Sequence, residues 1–448
     1  AASLALSLIL LVNSTALAPA PDASPPDVRF GAVEAWMAPD RAAELRVGWD
    51  RLIISWNDRQ PNSPDEWNVP GEEIERVNTA LAAGREVVAL LMGTPAWATD
   101  GPPLGAVPRG LYLPVDTPGN LWAGFVRRMV SENAGRINHW IIWNEPDIAP
   151  EDLGAQWEGG VEDYYQLLKV AYVVARQANP QAVIHLAGVT HWHDVVHNRT
   201  PFLQRLLAVA KLDPTARRNK YYFDVVTLHI YFRTETVPYI INTYRAILRS
   251  YGLSSKIIWV NETNAAPYDD PQYPWIGPLV PVTMEQQGAF IIQSFALALA
   301  SGAERVAVYK LIDAVPPVPG GDSYGLYRND GSARPAVEAY RLVTAHFAGV
   351  RRVIFAVEPE WYIVRLERGT QGVTRVAWAR TAQTTSVRLR PTAGAVTVNV
   401  YDQLGNEYPV QRDGRGNILL TLPGAVCAAP NDCPVGGTTF VVVESVKK

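Results

Sequence analysis

Short apolar runs alternate with longer amphipathic stretches through eight rounds between residues 28 and 347, and this alternation limits the possible folds more than any other feature. The apolar runs lie at 28–33, 52–56, 86–92, 140–143, 182–187, 224–230, 256–260 and 305–311. Most are continuous rather than alternating, the pattern of strands covered on both faces. The intervening stretches have helical spacing: in 161–178, Tyr164, Leu167, Leu168, Ala171, Val174 and Ala175 fall on one stripe. Further helices are expected at 71–83, 117–133, 201–211, 238–251, 283–300 and 334–347. Glu72 and Glu73 suit the positive end of the first, and Pro118 suits the opening turn of the second. Strands that alternate with helices pair in parallel, and right-handed crossovers either wind the sheet open or close it. No Gly-x-Gly-x-x-Gly follows the first strand, where the chain reads Gly31-Ala32-Val33-Glu34-Ala35-Trp36, so a dinucleotide-binding sheet is disfavoured. Eight units over this length predict an α/β fold, the (β/α)₈ TIM barrel.

The pattern changes at both ends. From 350 onward, short alternating segments at 361–365, 373–379, 385–388, 396–401, 418–422 and 439–444 are separated by turns such as Leu404-Gly405-Asn406 and Arg412-Asp413-Gly414. That spacing predicts a β-sandwich. At the other end, the apolar run 4–12 is too short to span a bilayer, and Ala16-Leu17-Ala18 has the small-x-small form of a signal-peptidase site. It reads as the tail of a secretory signal in preference to the remnant of a lipid-proximal anchor. The expected organisation is therefore a signal remnant and Pro-rich leader over 1–26, a catalytic barrel over 27–349 and an accessory sandwich over 350–448, in an exported protein that leaves the membrane once the signal is cleaved. In such a protein Cys427 and Cys433 read as a local disulfide, because no further ligands lie nearby to make them a metal site. A net charge of -4 supplies no basic face for nucleic acid, whereas 14 Trp and 19 Tyr suit amphipathic ligands such as sugars.

A TIM barrel builds its site at the C-terminal ends of its strands. In order, those ends carry Glu34 and Trp36; Trp56 and Asn57; Thr94, Pro95 and Trp97; Asn144 and Glu145; His191, Trp192 and His193; His229 and Tyr231; Asn261 and Glu262; Lys310 and Asp313. Two ends share one grammar. Ile141-Ile142-Trp143-Asn144-Glu145 on the fourth strand is matched by Ile257-Ile258-Trp259-Val260-Asn261-Glu262 on the seventh. After Glu145 comes Pro146, which disfavours a helical conformation and predicts an extended residue before it. The barrel places the two carboxylates across its mouth. Facing carboxylates are what glycosidic cleavage requires, one to protonate the leaving oxygen and one to attack the anomeric carbon.

Trp143-Asn144-Glu145-Pro146 on the fourth strand, with Glu262 ending the seventh, resembles the signature of glycoside hydrolase clan A, whose members are (β/α)₈ retaining β-glycosidases. Family 39 and its relatives are the most similar in character. The resemblance implies that Glu145 is the general acid/base, that Glu262 is the nucleophile, that Asn144 bonds the sugar 2-hydroxyl and that Tyr231 orients Glu262. Thr94-Pro95-Ala96-Trp97 also resembles the third-strand end of these enzymes. Trp36, Trp56, Trp97, His193, His229 and Lys310 are further candidates for sugar contact. One departure stands out: the clan places a Trp at the end of the eighth strand, and here the chain reads Tyr309-Lys310. Either Tyr309 or another ring does that work, or Lys310 faces the site. An inward Lys310 would favour a uronic acid; a Lys310 turned elsewhere, or paired with Asp313, would not.

These readings converge on an exported retaining β-glycosidase that hydrolyses O-glycosidic bonds of plant or microbial oligo- and polysaccharides, with a carbohydrate substrate, no cofactor and no metal. Two alternatives come from other classes. A metal-dependent TIM-barrel hydrolase would use His191-Trp192-His193-Asp194 and His197, since residues two apart on a strand share a face, although the first strand lacks the His pair of such enzymes. A non-catalytic carbohydrate-binding protein on a glycosidase fold would not need both Glu residues. Tyr268, Tyr273 and Trp275, in the loop after Glu262, would either stack a sugar or pin that loop.

Overall fold

The computed structural model describes residues 24–274, 280–314, 323–429 and 432–446. Up to residue 23, the expected leader lies outside them. Eight parallel strands form a closed barrel in sequence order: β1 (Phe30–Val33), β2 (Trp49–Ser55), β3 (Glu86–Met92), β4 (His139–Asn144), β5 (Val183–Gly188), β6 (Val225–Tyr231), β7 (Ile257–Asn264) and β8 (Arg305–Val308). The barrel closes where Ala32 of β1 pairs with Val308 of β8. Val33, Trp49, Val88, Leu90, Ile141, Val225, Trp259 and Ala307 fill the interior, while Ala32, Leu52, Ile54, Ala89, Leu91 and Ile142 face the surrounding helices. Both faces are apolar, which explains why the strands read as continuous runs. Trp49 fits inside because residue 31 is glycine: a Cβ there would lie 2.3 Å from its ring.

The helices are α1 (Pro39–Glu44), α2 (Trp56–Arg59), α3 (Gly71–Ala82), α4 (Leu121–Glu132), α5 (Val161–Ala178), α6 (Trp192–Val196), α7 (Phe202–Leu212), α8 (Thr236–Ser250), α9 (Met284–Ala300) and α10 (Ala336–His346), with a 3₁₀ turn at Ala35–Met37 after β1. α4 begins later than its expected start at 117. Asn120 caps it by accepting from the Ala123 N–H at 3.1 Å, which leaves Pro118 outside the helix. β2 starts before the expected 52 and includes Asp50 and Arg51.

The remaining strands are β9 (Arg352–Val357), β10 (Trp361–Glu367), β11 (Val373–Ala379), β12 (Thr385–Leu389), β13 (Ala395–Tyr401), β14 (Glu407–Tyr408), β15 (Gln411–Arg412), β16 (Ile418–Leu422) and β17 (Phe440–Val446). They make a six-stranded sheet in the order β14-β13-β17-β11-β10-β9 and a three-stranded sheet in the order β12-β16-β15. A core that includes Ile363, Val387, Ile418, Leu422 and Val442 joins the two sheets as a sandwich. Cys427 and Cys433 are disulfide-bonded.

The sandwich packs against α9. Gln293, wholly buried on that helix, donates from Nε2 to Thr439 Oγ1 at 2.8 Å and accepts at Oε1 from Gly436 N–H at 3.0 Å and from Thr234 Oγ1 at 3.0 Å. A helix covered by barrel and sandwich together has no solvent stripe, hence its near-uniform apolar sequence. Among the described residues no helix is long and apolar enough to cross a membrane.

Candidate active site

Glu262 gains its position from an irregularity. β6 and β7 pair regularly up to Leu228 and Val260, and then His229 pairs with Glu262, so Asn261 is an extra residue in β7. Such a bulge re-aims the side chain that follows it. Glu262 points into the mouth, 5% exposed, where the Arg51 guanidinium of β2 and the Tyr231 hydroxyl of β6 both bond its carboxylate. His229 Nδ1 lies 3.4 Å from its Oε2. Burial by itself would raise the Glu262 pKa. Arg51, His229 and the Tyr231 hydroxyl together outweigh burial and hold the carboxyl below its ordinary value. The group is therefore held in its anionic form.

Glu145 is held differently. It follows Asn144, the last residue of β4, and carries a backbone φ of 45°, not the extended conformation expected before Pro146. Bonds on either side fix that shape: its N–H donates to Gly188 O at 3.0 Å, and its carbonyl accepts from Ile148 N–H at 3.2 Å. Left-handed non-glycine residues are costly, about 1–3 kcal/mol each, and persist where the surroundings impose them. Trp143 at 71°, Glu34 at 58°, His191 at 65° and Phe232 at 71° share this property, and all lie at the barrel mouth. Asp147 braces the same turn by accepting from Thr190 N–H at 2.7 Å, Thr190 Oγ1 at 2.8 Å and His191 N–H at 3.1 Å. Burial pushes its carboxyl up to about 6, and the charges of Asp194 and Glu145 add to the rise.

His229 stands between the two carboxylates, with Nδ1 2.5 Å from Glu145 Oε1. Burial lowers the pKa of the ring, but the charges of Glu262 and Glu145 more than reverse this, so the imidazolium is favoured and donates to Glu145. Asn144 donates to Gln156 Oε1 at 3.0 Å, and its own Oδ1 is buried without a partner, an acceptor left for a ligand hydroxyl. Tyr309, just after β8, stands edge-on to Tyr231 with ring centroids 6.0 Å apart. Lys310 is buried, 3.5 Å from Glu34 Oε2, whereas Asp313 binds Arg334 at 2.7 Å. Lys310 thus reaches Glu34, and its charge also acts on Asp313, partly offsetting the rise that burial gives that carboxyl.

The structure thus brings together Asn144, Glu145, His229, Tyr231 and Glu262, with Tyr309 beside them. It does not bring in every candidate. Trp56 is wholly buried, stacked on Phe125 at 5.2 Å and packed on Trp122 and Trp97 in the layer behind the strands, so its assignment to sugar contact is corrected. The chain turns into α2 at Trp56, which swings that ring outward rather than over the mouth. Trp97 donates from Nε1 to Gln60 O at 2.5 Å and packs edge-on against Trp56. Trp36 lies on the 3₁₀ turn after β1, with the Arg76 guanidinium 3.9 Å over its ring.

His193 and His197 are on or beside α6 rather than on a strand, and both reach Asp152 Oδ2, at 3.3 and 2.7 Å. His191 is buried against the rings of Trp192, Tyr239 and Tyr244. The strand geometry behind the metal alternative is therefore absent. Tyr273 is buried beneath Arg334, 5.2 Å from its guanidinium, and pins its loop; Trp275 lies outside the described residues. Among the described residues, the group of three His or carboxylate side chains whose ligand atoms all lie within 4.8 Å of one another is Glu145, His229 and Glu262. Two carboxylates and an imidazole are suitable donors for a divalent ion. Arg51 and a protonated His229 already place positive charge there, which opposes a cation.

Arg51 was the site residue that sequence reading missed. Its signal was present, a charge inside Trp49-Asp50-Arg51-Leu52-Ile53-Ile54, but the expected strand began just after it.

No protein-family model matches the chain, and a search of curated proteins finds no match. Solved structures do match. A family 39 glycoside hydrolase from the gut symbiont Bacteroides cellulosilyticus WH2 superposes with a TM-score of 0.69 at 16% identity, over 93% of this chain and 81% of that one. A GH39 β-xylosidase from Caulobacter crescentus gives 0.61 at 14%, over 95% and 98%. A GH30 endoxylanase from Clostridium papyrosolvens C71 gives 0.59 at 13%, over 94% and 97%. At such identities the shared property is the fold, a parallel eight-stranded barrel with attached β-sheets.

Proposed function

We propose that the protein is a retaining β-glycosidase that works by double displacement. The observation that carries this reading is the carboxylate pair: oxygens of Glu145 and Glu262 lie within 4.8 Å of each other. Retaining enzymes hold their carboxyl groups ~5–5.5 Å apart, and inverting ones ~6.5–9.5 Å to admit a water. Glu262, kept anionic by Arg51, His229 and Tyr231, attacks the anomeric carbon while Glu145, which takes up the Nδ1 proton of the His229 imidazolium bonded to it, gives that proton to the leaving oxygen. A glycosyl ester forms on Glu262. Glu145 then takes a proton from water, and the water displaces the ester to release the sugar with its configuration retained. Asn144 Oδ1 accepts the 2-hydroxyl proton of the bound sugar.

O-glycosides of plant or microbial oligo- and polysaccharides are the substrate class. The xylosidase and xylanase among the similar folds make β-xylosides the first to test. The expected leader fits export, where such polymers are met. The deciding experiment is Glu262→Ala: it should abolish hydrolysis of aryl β-glycosides, and added azide should restore turnover with an inverted glycosyl azide as product. Inverted sugar from the native enzyme, seen by NMR in the first minutes, would sink the proposal.

A further inference from the structure

Beyond the carboxylates, the barrel rim carries a cleft that the reaction above does not use. β1 ends at Val33, paired with Arg51, while β2 runs on to Ser55. The chain leaves β1 through the left-handed Glu34 into the Ala35–Met37 turn. The last residues of β2 therefore lack a strand neighbour on that side, and a cleft of about 200 Å³ opens over them, lined by Glu34, Trp36, Ile53, Ser55, Asn68 and Arg76 among others. Sites for drug-sized ligands occupy ~300–1,000 Å³, so this one is sized for a single ring.

The cleft is next to the reaction centre. Ile53 shares its strand face with Arg51, two residues or about 6.6 Å further along, and its side chain is exposed although it points into the barrel mouth. Glu34 reaches Lys310, the neighbour of Tyr309, at 3.5 Å. Trp36 Nε1 is a donor buried at the cleft without a hydrogen-bond partner, and Glu34 Oε2, buried beside it, has the Lys310 ammonium at 3.5 Å but no hydrogen bond. Glu145 delivers its proton from β4, so the leaving group departs on that side. The cleft at β1 and β2 lies two to three strands round the barrel from β4, away from the leaving group and on the side where the retained part of the substrate extends.

We infer that this cleft is a subsite for a second, neutral sugar on the non-leaving side, so that the enzyme prefers β-linked disaccharide units to single sugars. The inference rests on the glycosidase reading and deepens it. The sugar is neutral because the cations here are already matched: Lys310 by Glu34, Arg59 by Glu73 at 2.5 Å, and Arg76 by Glu72 at 3.1 Å, while Asp58 adds a further carboxylate. A uronate would meet surplus negative charge.

The test compares kcat/KM for 4-nitrophenyl β-glycosides of a monosaccharide and of its β-linked disaccharide, in the xylose, glucose, mannose and galactose series. In the series the enzyme accepts, the disaccharide should be favoured at least tenfold. Trp36→Ala should bring the ratio close to one. Ile53→Trp, which fills the cleft from an exposed position, should do the same if Trp36→Ala fails to fold. A native ratio near one, or a ratio unmoved by both variants, overturns the subsite and leaves the glycosidase reading standing. Faster release from a uronate-capped disaccharide overturns the assignment to neutral sugars. No turnover in any series overturns the glycosidase reading itself, and the subsite with it.

Discussion

At position 188, the end of β5, a hydrogen in place of a methyl group sets where the His229 ring can lie. A Cβ at Gly188 would sit 2.0 Å from His229 Nε2, and the same residue's carbonyl receives the Glu145 N–H. Gly188→Ala should therefore push the imidazole away from both carboxylates without removing any side chain named in the reaction. Displacements of about 1 Å in such sites cost ~10²-fold in rate. The diagnostic readout is the pH profile. His229 helps to hold the Glu262 carboxyl below its ordinary value, so displacing it raises that pKa and moves the acid limb of kcat/KM to higher pH. A fall in rate with an unmoved acid limb would mean that His229 does not act on Glu262. Glu145 and Glu262 were legible in sequence because each closes an apolar run with the same Asn-Glu step. Arg51 was not, because a charge in a strand reads as the strand's boundary until its partner, distant in sequence, is known.

The element scale separates what periodicity can and cannot read. Continuous apolar runs made the eight barrel strands visible, and alternation made six of the sandwich strands visible, but β9 and the two-residue β14 and β15 were not expected from the sequence. The short elements at strand ends were less legible. Trp56 and His193 both follow an apolar run, which suggested side chains over the mouth, but the chain coils at once into α2 and α6 and turns them elsewhere. Such single-turn helices are too short to show a period, and tertiary contacts decide them. Trp56 illustrates the difference between a mouth and a core position. Trp56→Ala should destabilise the protein by about 3–5 kcal/mol, the usual cost of removing a large buried ring, as measured by denaturant unfolding. A loss of substrate affinity with stability unchanged would return Trp56 to the site.

On the scale of the whole molecule, barrel and sandwich share more than a surface. His346 at the end of α10 stacks on Tyr401 of β13 at 5.6 Å, and burial, with the Arg368 charge second, lowers its pKa to about 4. An unfolded histidine titrates near 6.5, so between those values the unfolded chain binds a proton that the folded one refuses. This contribution to stability is intact above pH 7 and is lost as the pH falls through that window. His346→Phe keeps the stacking and removes the titration. Relative to native protein it should gain on the order of 1–2 kcal/mol between pH 7.5 and pH 5, read as the difference in unfolding free energy. An equal difference at both pH values would place the proton elsewhere.

Buried α9 has a further consequence. With one amide Gln293 satisfies Gly436 and Thr439 of the sandwich and Thr234 of the barrel, and Thr234 is three residues along the chain from the Tyr231 that grips Glu262. A module can be passed between proteins only if the seam it leaves behind is tolerable in water. Here the seam would expose an apolar helix and an unsatisfied amide, so recombination that exchanged this sandwich for another would have to bring a matching α9 with it. Barrel and sandwich are in that sense inherited as one piece.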